Sequence, residues 1–152
     1  MQRWIVGGLI GVLLLGGGLV GYYKMVYQPS QPAPVWVPLP IRADLEIAKQ
    51  DELVSNLKTK LSDKEILLNV SKDVGLVQKW NLASDEEGAR EIGSRLFVRT
   101  GEADTPMGKV PAIHIGVTGT KKEREVSGEI AVRMMQDVWK ILGIEPPPQK
   151  KF

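Results

Sequence analysis

The sequence predicts an α+β fold: an N-terminal single transmembrane helix followed by a small antiparallel sheet packed against helices. Three observations carry this. Residues 4–23, from Trp4 to Tyr23, hold no charged side chain. Apolar residues beyond residue 40 recur mostly at the three- and four-residue steps of helices with one buried face. Two stretches on either side of residue 105 are β-rich and partly alternating.

Composition narrows the function classes. The 152 residues suit one compact domain of roughly 100–150 residues plus its ends. At 43% apolar and 25% charged residues, the chain is neither wholly disordered nor a multi-span transporter. All 18 Asp and Glu lie at or beyond Asp44, and of the 20 Lys and Arg only Arg3 and Lys24 fall in the first 24 residues. The remainder is formally neutral, which argues against a nucleic-acid partner, because phosphate contacts demand a basic excess. With no cysteine there is no disulfide, thiolate nucleophile or cysteine-ligated metal.

The first element, residues 1–27, reads as a membrane anchor with a short N-terminal tail. At about 1.5 Å per residue, residues 4–23 extend about 30 Å, the thickness of a hydrocarbon core. A cleaved signal peptide wants about 7–15 apolar residues and a small-x-small site, whereas this run ends in Gly21-Tyr22-Tyr23-Lys24-Met25. Trp4 at one end and Tyr22, Tyr23 and Tyr27 at the other stand where amphipathic rings prefer the headgroup level. Gly7 with Gly11, and Gly17 with Gly21, form small-xxx-small pairs suited to close helix packing, although glycine is also simply common in membrane helices. The expected partners are therefore membrane lipid and other transmembrane helices, from the same chain or from partner subunits. The expected location is the inner (cell) membrane, single-pass, with the N-terminus cytoplasmic and the soluble domain periplasmic or otherwise extracytoplasmic.

Residues 28–40 follow with five prolines in 13 residues, read as an extended, semi-rigid spacer. Val35-Trp36-Val37 has a second reading as a short edge strand. The soluble domain is expected over residues 41–144 and a polar tail over 145–152. Within the domain, Ile41 to Leu61 reads as an amphipathic helix through Leu45, Ala48, Leu53 and Leu57. Ser62 with Glu65 forms a capping-box pattern opening a second helix that Gly75 ends, and Ser84 with Glu87 repeats the device for a third. Residues 96–100 and 110–117 are strands joined across 103–109, with Gly101 and Gly108 as turn residues. Helical spacing returns over 121–142 through Val126, Ile130, Met134, Val138 and Leu142, ending at Gly143.

Motifs for chemistry are sparse. His114 is the single histidine, and alternation places it on the strand face opposite Ile113 and Ile115. No second histidine completes a metal site, no serine sits in an elbow motif, and neither phosphate-loop nor dinucleotide spacing surrounds the glycines. Glu86 and Glu87 suit the first turn of a helix by the dipole alone. Trp80 and Trp139 follow apolar helical positions as core or interface anchors. No enzyme activity, cofactor or metal is expected; a hydrolase using His114 with a nearby carboxylate is the enzymatic alternative.

The ordered features from Leu61 to Val138 resemble the periplasmic domain of polysaccharide co-polymerases, the Wzz family of chain-length determinants. The counterparts are Ser62-Asp-Lys-Glu-Ile-Leu-Leu-Asn-Val-Ser-Lys-Asp-Val-Gly-Leu76, then Trp80, Ala89 to Val98, Ala112-Ile-His-Ile-Gly-Val117, and Ser127-Gly128-Glu-Ile-Ala131-Val132. Val132 stands where the family carries asparagine, and the family's long coiled-coil helix and second span have no counterpart in the sequence. The resemblance implies a non-enzymatic protein that acts by assembly, as an oligomer, in envelope polysaccharide synthesis or export. The alternative is an accessory subunit of a larger inner-membrane complex, docked through its glycine-rich helix.

Overall fold

A computed structural model describes residues 30–106 and 108–144. It shows an α+β domain in which one face of a three-stranded antiparallel sheet is covered by helices. In chain order these are β1 (Pro32–Pro40), α1 (Ile47–Leu61), α2 (Lys64–Val74), the single turn α3 (Leu76–Lys79), α4 (Asp85–Arg95), β2 (Leu96–Thr105), β3 (Gly108–Thr120), a 3₁₀ turn (Lys121–Glu123) and α5 (Arg124–Leu142). Among the described residues no helix is long and apolar enough to cross a membrane. The run from Trp4 to Tyr23, with Gly7, Gly11, Gly17 and Gly21 and the ring residues Trp4, Tyr22, Tyr23 and Tyr27, lies outside the described residues.

The main departure from expectation is the proline-rich stretch. The edge-strand alternative for Val35-Trp36-Val37 holds and extends: instead of a spacer, Pro32–Pro40 is a nine-residue edge strand paired with β3, so the domain begins inside the segment assigned to a linker. Proline parity explains how. At the two ends of the ladder the Lys121 N–H donates to the Gln31 carbonyl (3.2 Å) and the Ile41 N–H to the Pro111 carbonyl (3.0 Å). Bonded and non-bonded pairs alternate along an antiparallel ladder, so the odd-numbered residues of β1 bond to β3. Pro32, Pro34, Pro38 and Pro40 are all even-numbered and sit where no ladder donor is needed.

β3 lies between β1 and β2, and its odd-numbered residues face the helices. Ile113, Ile115 and Val117 are buried there with Leu39, Leu96 and Val98, against Leu57, Leu61, Val70, Ile92, Ile130, Met134 and Val138. Arg133 ties α2 to α5, its Nε donating to Asp73 (2.7 Å) and its Nη1 to Asp137 (2.7 Å).

Several boundaries move. α1 starts at Ile47, because residues 41–46 form a turn in which the Leu45 N–H reaches the Arg42 carbonyl. The cap of α2 is Asp63, whose carboxylate accepts from the Glu65 N–H (2.8 Å), while Ser62 closes α1. Gly75 and Gly143 end their helices in the left-handed region (φ 71° and 67°), as the sequence predicts. Both hairpin strands run longer than expected, leaving only Pro106 and Met107 between them. Gly108, at φ 114°, flanks that turn, whereas Gly101 lies within β2 and is not a turn residue.

Candidate functional site

Alternation that buries the odd residues of β1 and β3 and the even residues of β2 leaves the other set on a face with no helix over it. Across its middle run the rows Pro38–His114–Arg99 and Trp36–Gly116–Phe97. Large residues flank a glycine in one row, which lets side chains from both edge strands lie over the central strand. A Cβ on Gly116 would lie 2.0 Å from the Val35 carbonyl oxygen and 2.8 Å from the Trp36 Cβ, so this close approach requires glycine. Gly101 plays a related part, since its missing Cβ position lies 2.5 Å from the His114 Cε1.

The result is one stacked cluster drawn from all three strands. The His114 ring stacks on Trp36, with centroids 5.4 Å apart and planes 21° apart. The Arg99 guanidinium lies 5.6 Å from the Trp36 ring centre and 5.0 Å from that of Phe97, within cation–π range. The His114 Nε2–H donates to the Glu102 carbonyl oxygen at 2.9 Å, since a carbonyl oxygen can only accept. Trp36 is 40% exposed and Arg99 is exposed. Among the described residues Arg99 carries the one formal charge on this face, which otherwise presents Pro, Trp, Phe, Val, Ala, Gly, Thr and His.

Beside this face, along the free edge of β1, runs an open groove of about 540 Å³ lined by Ala33, Pro34, Val35, Trp36, Lys121 and Arg124. Between the groove residues Lys121 and Arg124 in sequence, Glu123 turns inward, its carboxylate accepting from the Thr120 N–H (2.8 Å) and hydroxyl (2.9 Å) and from Arg95 (3.2 Å). Burial pushes the Glu123 carboxyl up, but the Thr120 bonds and Arg95 outweigh it and hold the group below the ordinary carboxylate range.

The chemistry available is recognition. His114 faces away from Ile113 and Ile115 as the alternation predicts, but its Nε2 is engaged by a main-chain carbonyl and its ring by Trp36. Among the described residues no group of three or more His, Asp or Glu is placed to hold a metal ion. Trp80 and Trp139 pack against the core, Trp80 with Arg95 4.7 Å from its ring centre. Sequence reasoning missed Trp36 and Arg99 as site residues. The available signal was the two-residue spacing of prolines around Trp36, which reads as one face of a strand. Comparison of the chain with protein-family models, curated proteins and solved structures finds no match.

Proposed function

We propose that this chain is a non-enzymatic, single-pass inner-membrane protein that acts by assembly through a Wzz-like periplasmic domain, in envelope polysaccharide synthesis or export. The observation that carries assembly is the uncovered sheet face, an aromatic, proline-rich surface bearing the single cation Arg99. Such a surface, apolar with an arginine anchor, has the composition of a protein interface centre. The order α2, Trp80, α4, β2, β3, α5 follows the order of the family-like features and supports the finer reading.

The occupant is a second copy. Two such faces pairing symmetrically would bring like charges together, because the face carries Arg99 and no carboxylate. The contact is therefore heterologous, of the kind that closes into rings. The complementary surface is the start of α1, where Ile47 is 77% exposed and Asp51, one turn on, has no ion-pair partner among the described residues.

Native mass of the tagged full-length protein, purified from membranes in mild detergent, tests this. A homo-oligomer is expected. Arg99→Glu should weaken association at least tenfold while costing the domain no more than the roughly 1 kcal/mol of its exposed cation–π contacts, and adding Asp51→Arg should restore association. An oligomer indifferent to Arg99→Glu would remove the sheet face from the interface. A single copy bound stoichiometrically to an unrelated complex would replace the reading with that of an accessory subunit.

A further inference from the structure

Lys121, Lys122 and Arg124 are exposed, adjacent, and without an ion-pair partner among the described residues. They occupy the turn before α5 and its first residue, at the positive end of the helix, where cations oppose the macrodipole. The local acid of the capping box, Glu123, points inward to Thr120 and Arg95, so it does not neutralise them; Glu125 is the one exposed carboxylate beside them. Nothing in the folding of α5 calls for three cations here.

Their position in the fold supplies a reason. The Lys121 N–H is bonded to the Gln31 carbonyl, so the cluster is fixed to the point where the chain enters the sheet. From Lys24, where the apolar run ends, to Gln31 is seven residues, a reach of at most about 25 Å. If residues 4–23 span the bilayer, these cations are held near the membrane surface by a short leash. Two of them line the groove whose far wall is Trp36, and basic residues with tryptophan are the composition of a headgroup-level surface.

We infer that Lys121, Lys122 and Arg124 form a docking surface for anionic phospholipid headgroups, which lays the β1 edge and the start of α5 against the bilayer. This rests on the reading of residues 4–23 as a membrane span. Docking sets the orientation in which the sheet face meets the next copy. Trp36 borders both surfaces, so the test changes only the cations.

The chain has no cysteine, so one label site can be introduced at a time. Full-length protein carrying Thr118→Cys near the cluster, or Asp104→Cys at the far end of the hairpin, is labelled with a fluorophore. It is reconstituted into phosphatidylcholine vesicles with or without 30% phosphatidylglycerol, and quenching by headgroup-nitroxide lipid is measured. Phosphatidylglycerol should raise quenching at position 118 and leave position 104 unchanged, and 0.5 M salt should reverse the rise. Each surface cation is worth about fivefold in such attraction, so Lys121→Gln/Lys122→Gln/Arg124→Gln should lower the docked-to-undocked ratio about a hundredfold, and Lys122→Gln alone about fivefold. Equal quenching in both lipids, or a triple variant like wild type, overturns the docking. Flotation separates the premises: protein that stays with neutral vesicles after a salt wash keeps the anchor reading whatever the quenching shows, so that a quenching failure then falls on docking alone, and protein that washes off fails both.

Discussion

Glu123 joins three elements with one carboxylate, capping the turn that opens α5 from the end of β3 and reaching α4 through Arg95. Its native pKa is depressed by these bonds despite partial burial. The stabilisation is therefore complete above the unfolded value, near 4.3, and is lost as the pH falls through the lower native value. Glu123→Gln keeps the shape and removes the charge, and is expected to cost about 1 kcal/mol at pH 7, or about 4–6 °C in melting temperature. The gap between wild type and variant should close toward pH 3; a gap of constant size would show that the charge contributes nothing. Capping of this kind is partly legible, as Ser84 shows by accepting from the Glu87 N–H. At residue 62 the sequence offers two acceptors in succession, and only the tertiary path decides that Ser62 ends α1 while Asp63 starts α2.

At the scale of elements, β1 turns the usual argument against proline strands into one for a protected edge. Its even-numbered prolines leave the outer edge almost without N–H donors, with Trp36 alone keeping one between Pro32 and Pro40. An edge short of donors resists pairing with another strand. Pro34→Thr with Pro38→Thr would restore two donors there without removing a ladder bond. Thermal stability is expected to change by less than about 1 kcal/mol, while association by edge pairing rises with protein concentration, read by sedimentation. An unchanged distribution would show that the prolines do not guard the edge. Helix and hairpin positions were legible because their periodicities are local. β1 was legible only as the short edge-strand alternative at Val35-Trp36-Val37, because its partner lies about eighty residues away in sequence and because proline content alone favours an extended spacer. Ile41 and Leu45 fit a helical step for a related reason: both are partly buried next to the sheet end, which mimics the spacing of a helix face.

For the whole molecule, the proposed function places two kinds of contact on one chain: helix packing through the glycine-rich run and docking through the sheet face. Joined by a short connection, the second contact forms at high effective concentration once the first has formed, so each strengthens the other without new atoms in contact. The candidate cluster shows why only part of this was readable in advance. Gly7 with Gly11, and Gly17 with Gly21, form two pairs at four-residue spacing within one segment, whereas Trp36, His114, Arg99 and Phe97 meet only when three strands pair in register. If both contacts operate, Gly11→Leu or Gly17→Leu should weaken assembly severalfold by holding helix backbones apart, and the melting temperature of the domain should not move. Combining Gly11→Leu with Arg99→Glu should abolish assembly, because neither contact remains to raise the local concentration of the other. Energy transfer between labelled full-length copies in vesicles reads this directly. Full transfer retained in Gly11→Leu would mean that the sheet face alone holds the copies together and that the glycines serve only the lipid-facing helix.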